Sequence, residues 1–245
     1  MTLQNILLIL FPGFNTLDMN GPYEILQKAH DGNAFKITVA SETDLTTAQE
    51  GAIVKRDIPL DDDLIANLHC YDILVVPGGT GDPVAAQADK VGGPFMRLIS
   101  AYSKLGCSLA SHRKILLSIC TGAIFLGTMG VFNDRLCTTH WLSYEELKKR
   151  VQVAAAKTGQ KAGTVVAARF VDSGVNAEGV HIISSGGVSC GMDASLYVIK
   201  LKCGEPAAMR VAELIDYAWR KTEGFVVLDQ TVAPGQTTKS GQALD

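Results

Sequence analysis

Short continuous apolar runs alternate with amphipathic stretches along most of the chain. Unbroken apolar runs are typical of strands buried on both faces of a parallel sheet, and they predict strands at residues 5–10, 35–40, 71–76, 115–119, 169–171 and 180–184. Apolar positions at helical spacing predict helices at residues 59–68, 93–107, 143–149, 188–202 and 206–221. Strands that alternate with helices from the start of the chain predict an α/β protein, a three-layer sandwich with helices on both faces of a mostly parallel sheet.

Several segments carry weaker patterns. Gly21 and Pro22 resemble an N-cap and a first-turn proline, which predicts a helix from there to about Ala29 and places Asp18 in the loop before it. Residues 52–54 predict a short hairpin strand, and residues 153–163 predict an exposed excursion. We expect a single domain over residues 1–225 and a polar, flexible tail over residues 226–245.

Composition narrows the range of functions. Twenty-two basic and 25 acidic residues give a net charge of −3, so we expect no nucleic-acid partner. The six cysteines form no C-x-x-C pair, which favours reduced thiols in the cytoplasm. The first apolar run is too short for a signal peptide or a membrane span, so we expect no membrane partner. No His, Cys, Asp and Glu residues have metal-ligand spacing, so we expect no metal.

Cys120 lies where a predicted strand meets a predicted helix. The strand at 115–119 runs directly into the cysteine, and Gly122 then opens the helical pattern. A sharp turn of this kind exposes a nucleophile above the sheet edge, and the positive end of the helix should favour the thiolate. The alternative is a buried cysteine that acts as a small hydrophobic residue.

Two other features follow predicted strands in the same way. Asp18 comes after the first strand, and Gly78 and Gly79 come after the third. Ligands of parallel α/β proteins bind outside the carboxyl ends of the strands. The sequence therefore predicts a small-molecule site that contains Asp18, the two glycines and Cys120.

Motifs at these positions resemble a known superfamily. The motif P-G-G at 77–79, the strand–Cys–helix sequence S-I-C-T-G at 118–122 and the motif T-T-H-W at 138–141 resemble the ThiJ/PfpI superfamily, which has a flavodoxin-like, class I glutamine amidotransferase-like fold. The sequences L-D-M-N-G-P-Y-E at 17–24, S-I-C-T-G-A at 118–123 and S-G-G-V-S-C-G-M-D at 185–193 are most similar to isonitrile hydratases. The resemblance implies a homodimer and the hydration of an isonitrile to an N-substituted formamide without a cofactor.

The resemblance also implies roles for individual residues. Cys120 would attack the isonitrile carbon to form a thioimidate, and Asp18, with a raised pKa, would act as acid and base. Thr121 would bind the nitrogen end of the substrate or a water molecule. The residues themselves make Gly79 and the backbone N–H of Thr121 candidate oxyanion-hole donors, because glycine lets the main chain approach closely; the alternative is that Gly78 and Gly79 only form the turn that the strand needs.

Alternatives remain at this point. Many superfamily members have histidine directly after the cysteine, where this chain has Thr121. If His140 approaches from another loop, it is a candidate substrate-binding residue, and glyoxalase, deglycase or amidase-like chemistry is an alternative. Otherwise His140 packs under the sheet edge beside Trp141. A redox sensor that oxidises Cys120 is a non-enzymatic alternative. The sensing domain of a transcription regulator is disfavoured, because the chain shows no helix-turn-helix pattern and no basic patch.

Overall fold

The computed structural model describes residues 3–106 and 113–227, and its centre is an eight-stranded sheet. In chain order the strands are β1 (Gln4–Leu10), β2 (Phe35–Ser41), β3 (Leu45–Thr47), β4 (Ile53–Lys55), β5 (Ile58–Pro59), β6 (Ile73–Val76), β7 (Ile115–Ser118), β8 (Leu136–Cys137), β9 (Thr164–Val165), β10 (Phe170–Val175), β11 (His181–Ser185) and β12 (Gly224–Val226). The central sheet has the order β12-β10-β11-β7-β6-β1-β2-β5, and all of its pairs are parallel except β10 with β11. The predicted mostly parallel sheet is confirmed.

Helices flank the sheet in two packed groups. They are α1 (Thr16–Gln27), α2 (Asp62–Ala66), α3 (Gly81–Asp89), α4 (Pro94–Tyr102), α5 (Gly122–Thr128), α6 (Tyr144–Thr158), α7 (Cys190–Cys203) and α8 (Glu205–Leu214). Helix α7 packs on α1 and α8, whereas α5 packs on α3, α4 and α6. This arrangement is the predicted α/β sandwich.

Apolar burial explains why these segments form the sheet and its helices. The side chains of β6 and β7 are all buried, as expected for central strands covered by helices on both faces. Three aromatic rings, those of Phe11, Phe95 and Phe125, meet edge to face with centroids 5.1–5.6 Å apart. They join the end of β1 to α4 and α5, next to the edge of the sheet where Cys120 lies.

Helix α1 begins earlier than the sequence predicts. Its N-cap is Asn15, whose side chain accepts hydrogen bonds from the N–H groups of Leu17 and Asp18, so Asp18 lies in the first turn of the helix and not in a loop. Pro22 is inside the helix, where it cannot donate to the Asp18 carbonyl. The prediction of a start at Gly21 was wrong because the Asn15 cap satisfies the N-terminal N–H groups one and a half turns earlier.

Other boundaries differ for similar reasons. Helix α6 continues to Thr158 because Ala154 and Ala155 are buried, so the predicted excursion begins only after that residue. Helix α8 ends at Leu214 and not at residue 221 as predicted. The chain leaves the helical conformation there, and Asp216 has a positive φ of 50°. The predicted hairpin strand at 52–54 is confirmed as β4, which pairs with β3 outside the main sheet.

The C-terminal end of the described chain adds a strand that the sequence pattern did not predict. Strand β12 pairs in parallel with β10, and Val226, the first residue of the predicted tail, belongs to it. The ring of Phe170 lies directly over Gly224 and leaves no room there for a Cβ atom. The rest of the predicted tail, residues 228–245, lies outside the described residues, as does Cys107.

Candidate active site

Cys120 occupies a tight corner between β7 and α5. Its φ is 54°, an unusual value for a residue other than glycine and one that costs conformational energy. Gly122 packs so closely on the end of β6 that a Cβ atom there would overlap the carbonyl oxygen of Val76 and lie 3.0 Å from that of Pro77. The predicted strand-to-helix elbow is therefore present, and the close packing around it holds Cys120 in this strained conformation.

The main chain of Cys120 is fixed by two neighbouring loops. Its N–H donates to Ser185 Oγ over 3.4 Å, at the end of β11. Its carbonyl accepts a hydrogen bond of 2.9 Å from Thr139 Oγ1, in the T-T-H-W motif. The corner is thus held from both sides by hydroxyl groups that are buried.

Asp18 brings a buried carboxyl group to the thiol. The side chain is fully buried, and Oδ2 accepts a hydrogen bond of 3.1 Å from the Gly78 N–H. Oδ1 has no hydrogen-bond partner among the residues that the structure describes. Burial raises the pKa of Asp18 from its ordinary 3.8 to about 7, although the nearby Cys120 thiol and the Gly78 N–H lower it. The raised pKa expected from the sequence agrees with this geometry.

The thiol of Cys120 rests in its protonated form. Burial and then the negative charge of Asp18 raise its pKa to about 12, even though the backbone N–H groups of Val188 and Thr121 act on the sulfur and lower it. The prediction that the helix terminus would favour a resting thiolate was therefore wrong. Dipolar N–H groups do face the sulfur, but desolvation and an adjacent carboxylate outweigh them.

The Thr121 hydroxyl binds the main chain of the glycine turn. Its hydroxyl donates to the carbonyl of Gly79 over 2.7 Å and accepts from the N–H of the same residue over 2.8 Å. A Cβ atom at Gly78 would overlap the Thr121 hydroxyl and lie 2.6 Å from its backbone nitrogen. The Gly79 N–H is thus already engaged, and the closeness of the two segments explains why the turn needs glycine.

His140 follows Thr139, whose hydroxyl donates to the Cys120 carbonyl, but His140 makes no described contact with the sulfur. Its ring packs against Gly187, where an added Cβ atom would lie 3.0 Å from Nε2. Nδ1 accepts the N–H of Leu142, and partial burial lowers the pKa of the ring. The ring also stacks on Trp141, at 5.8 Å between centroids. His140 is placed as a neutral packing residue.

Four apolar residues of the neighbouring loops and helices differ in their burial. Phe11 and Phe14 are buried in the core. Met192 is half-buried and packs against Gly21 of α1. Trp141 is 66% exposed.

The S-G-G-V loop at 185–188 contributes functional groups that sequence reasoning left out of the site. Val188 places its N–H near the Cys120 sulfur and has a φ of 26°, which is strained for a β-branched residue. A buried ion pair holds the helix that follows it: Arg169 Nε donates to Asp193 Oδ2 over 2.6 Å, and Asp193 is fully buried. The only available signal was the motif resemblance, because a backbone N–H has no side-chain signature.

Comparison with known proteins agrees with this geometry. The pattern of the DJ-1/PfpI family matches residues 4–181, which is well over half of the chain. The chain belongs to the DJ-1/PfpI family. The matched region contains both Asp18 and Cys120, and it ends at the start of β11.

The sequence identity to individual relatives is low. The chain is 26% identical over 210 residues to an isonitrile hydratase from Pseudomonas putida, a match that covers 86% of this chain and 77% of the relative. It is 30% identical over 152 residues to an uncharacterized protein in the cpoL 5′ region of Streptomyces lividans, covering 60% of this chain and 94% of that protein.

Solved structures show the same fold. A ThiJ/PfpI family protein from Pseudomonas syringae has a TM-score of 0.66 at 20% identity, with 89% of this chain and 76% of the other covered. Oxidized DJ-1 from Toxoplasma gondii has a TM-score of 0.65 at 16% identity, with 88% and 100% covered. An AraC family transcriptional regulator from Pseudomonas putida has a TM-score of 0.64 at 22% identity, with 86% and 99% covered. At these identities the likeness concerns the fold alone.

Two kinds of feature are absent from the part of the chain that the structure describes. Within residues 3–106 and 113–227, no group of three or more His, Cys, Asp or Glu side chains is arranged to hold a metal ion. In the same part of the chain, no helix has the length and apolar character needed to cross a membrane.

Proposed function

We propose that this DJ-1/PfpI protein hydrates isonitriles to N-substituted formamides through a thioimidate on Cys120. The observation that carries the proposal is the pairing of a buried thiol with a buried carboxyl whose pKa is about 7, with no histidine of residues 3–106 and 113–227 in contact with the sulfur. The similarity to an isonitrile hydratase over 86% of the chain supports the same chemistry.

The resting protonation states suit the first step. At neutral pH a large fraction of Asp18 is ionised and Cys120 is a thiol, so the carboxylate can accept the thiol proton as the sulfur attacks. The S–C bond forms at the terminal carbon of R–N≡C, and Asp18 returns the same proton to that carbon. The product is the thioimidate R–N=CH–S on Cys120, and the carboxylate is regenerated.

The second step consumes water. The Asp18 carboxylate accepts a proton from water as the water oxygen adds to the thioimidate carbon, and Asp18 then gives this proton to the nitrogen, which leaves R–NH–CH(OH)–S on Cys120. As the C–S bond breaks, the sulfur leaves with its electron pair, and Asp18 transfers the proton of the hydroxyl group to the sulfur, which restores the thiol and forms the C=O bond of the formamide. The sum is R–N≡C + H₂O → R–NH–CHO, without an oxidant or a reductant.

The protein's other groups stabilise charge at the sulfur. The N–H groups of Val188 and Thr121 act on Sγ and favour its negative charge during attack and departure. The Thr121 hydroxyl supports the reaction from a distance because it holds the Gly79 turn, whose neighbour Gly78 binds the Asp18 carboxyl.

The test is turnover of a bulky alkyl isonitrile by the purified protein, with the formamide product measured. We expect Cys120→Ala and Asp18→Asn to abolish turnover. Cys137→Ala is the matched control. Cys137 is equally buried and its pKa is also raised to about 12, but its sulfur donates to the Thr164 carbonyl, and burial alone raises its pKa, with no carboxyl group of the described residues acting on it. Absence of turnover by the wild type with an unoxidised Cys120 would refute the proposal.

The redox alternative receives less support. Redox-sensing cysteines are typically exposed and have a low pKa, whereas Cys120 is buried with a pKa near 12. One observation favours it: Asp18, when protonated, has a free oxygen that would stabilise a sulfinate. Mass spectrometry after mild peroxide treatment would show selective oxidation of Cys120 only if this alternative is right.

We further propose that the protein is a cytoplasmic homodimer that binds a small molecule. The five cysteines within the described ranges are free, as expected in a reducing compartment. The dimer rests on the family resemblance. Light scattering of the purified protein should give twice the mass of one chain, and a monomer would contradict this.

A further inference from the structure

The β3–β4 hairpin lies outside the main sheet and contacts the start of α1. The N–H of Gln49 donates to the carbonyl of Phe14, and the N–H of Gly13 donates to that of Thr47, both over 2.9 Å. These bonds attach the hairpin to the loop between β1 and α1. Asp18 is carried by the first turn that follows.

Glu50, at the tip of this hairpin, gathers four hydrogen bonds with its carboxylate. Oε2 accepts from the backbone N–H of Thr16 over 2.9 Å and from its hydroxyl over 2.6 Å. Oε1 accepts from Asn15 Nδ2 and from Gln49 Nε2, each over 2.6 Å. An exposed glutamate with this many donors is anchored, because each bond to a charged acceptor is stronger than a neutral one.

The contact with Asn15 sets which way its amide points. Because Nδ2 faces Glu50, Oδ1 faces the helix and accepts from the N–H of Asp18 over 3.1 Å. The backbone N–H of Asn15 donates to the Gly78 carbonyl over 2.7 Å, and the Gly78 N–H donates to Asp18 Oδ2. Asn15, Asp18 and Gly78 therefore form a closed ring of hydrogen bonds, and Glu50 orients the cap that completes it.

We propose that Glu50 is a positioning residue that holds Asp18 against Cys120 through the Asn15 cap and adds a fixed negative charge near its carboxyl group. The proposal concerns the acid–base group of the proposed hydration reaction and thus rests on it in part. Nothing in the motifs at the strand ends points to Glu50, which reaches the site only through the hairpin.

Electrostatics supports the geometry. Two titratable groups act on the Asp18 carboxyl: Cys120, from the elbow, and Glu50, whose negative charge raises the pKa of Asp18. Slight burial opposes ionisation of Glu50, but its hydrogen bonds from Thr16 and Gln49 hold its pKa below the ordinary value. Glu50 therefore stays ionised over the range in which Asp18 titrates.

The test uses Glu50→Gln and Glu50→Ala in the full chain. Glu50→Gln removes the charge and keeps the shape, whereas Glu50→Ala also frees the Asn15 amide. Glu42→Gln is the control, because it removes one negative charge from the exposed segment before β3 and Glu42 makes none of these contacts. The Asp18 carboxyl is titrated by NMR with ¹³C-labelled aspartate, its signal assigned by its loss in Asp18→Asn.

We expect Glu50→Gln to lower the pKa of Asp18 by less than about one unit, since Glu50 is exposed and screened by solvent. We expect Glu50→Ala also to reduce kcat for the isonitrile roughly tenfold with little change in KM. The reason is that the Asn15 cap loses the hydrogen bond that orients it, so Asp18 is less well aligned with the reacting atoms. Glu42→Gln should leave both quantities unchanged.

An Asp18 titration that is identical in the wild type and both Glu50 variants would overturn the proposal. The NMR titration needs no substrate, so it decides the role of Glu50 even where the wild type turns over no isonitrile. If Glu50→Ala does not fold, Glu50→Gln alone decides. A shift of equal size in Glu42→Gln would also contradict the proposal, because it would make the effect one of net charge.

Discussion

Replacing Asp18 with asparagine should abolish activity while making the protein more stable at neutral pH. The carboxyl is fully buried, and its pKa is raised from 3.8 to about 7 by desolvation. The folded state therefore binds this proton more tightly than the unfolded state does. Between the two pKa values the unfolded chain loses its proton first, so ionisation of Asp18 destabilises the fold progressively as the pH rises, and the cost is complete above about pH 7.

The size of the effect follows from the two pKa values. A difference of about three pH units corresponds to about 4 kcal/mol at high pH, an upper limit since the protein can relax around the charge. At about pH 5 only about 1.6 kcal/mol of this cost is present. The stability gain of Asp18→Asn over the wild type should thus grow by up to about 3 kcal/mol between about pH 5 and about pH 8.

Urea unfolding of both proteins at the two pH values measures this difference, and the contributions of all other titrating groups cancel in the comparison. The asparagine keeps an acceptor for the Gly78 N–H, so the hydrogen bond is not the variable. A stability difference that is the same at both pH values would show that Asp18 does not titrate near neutrality. The acid–base role proposed for it would then lose its basis.

Three further changes test other parts of the site. Gly78→Ala should destabilise the fold by about 1–3 kcal/mol in urea unfolding. The added Cβ atom would lie 2.6 Å from the Thr121 nitrogen and 2.7 Å from the Gly122 nitrogen. Gly92→Ala is the control and should leave stability nearly unchanged, because a Cβ atom at Gly92 has open space around it. Thr121→Val should cost about 1–3 kcal/mol because it leaves both polar groups of the glycine turn unpaired, whereas Thr121→Ser should restore stability and turnover. His140→Gln should change turnover less than about threefold, whereas loss of a general base would reduce it about 10²–10⁴-fold.

Periodicity predicted the fold well where burial is one-sided or complete. Strands β1, β6 and β7 are uninterrupted apolar runs, and the structure buries them as expected. Helix α3 was missed because it buries only Val84, Gln87 and Ala88, too few apolar residues to set a helical pattern. Strand β12 is three residues long and lies at the edge of the sheet, where pairing alone and not patterning defines a strand.

The two central groups of the site could be placed from the sequence because topology brings strand ends together. Asp18 and Cys120 follow β1 and β7, and β6 between them supplies Gly78. Their ionisation is harder to predict, because it depends on how completely each group is buried. The helix terminus pointed to a thiolate, but burial and the carboxylate reversed this result.

Glu50 and Val188 could not be found by the same reasoning. Glu50 is an exposed acid in a segment without clear periodicity, and its importance depends on which loop the hairpin contacts. Val188 acts through its main chain, so its side chain says nothing of the role. Residues that act through another residue, or through a main-chain N–H, can be recognised only when the three-dimensional positions of the loops are known.

Strand β12 also determines where the chain can be shortened without exposing a sheet edge that promotes self-association. It covers the edge of β10, and the N–H of Val227 donates to the Asp172 carbonyl at the end of this pairing. Cutting the chain before Gly224 would expose a row of unpaired N–H and C=O groups along β10, the kind of edge that templates intermolecular β-sheet. A truncated protein that ends just after Val227 keeps that edge protected, whereas one that ends at Glu223 should self-associate in a concentration-dependent way.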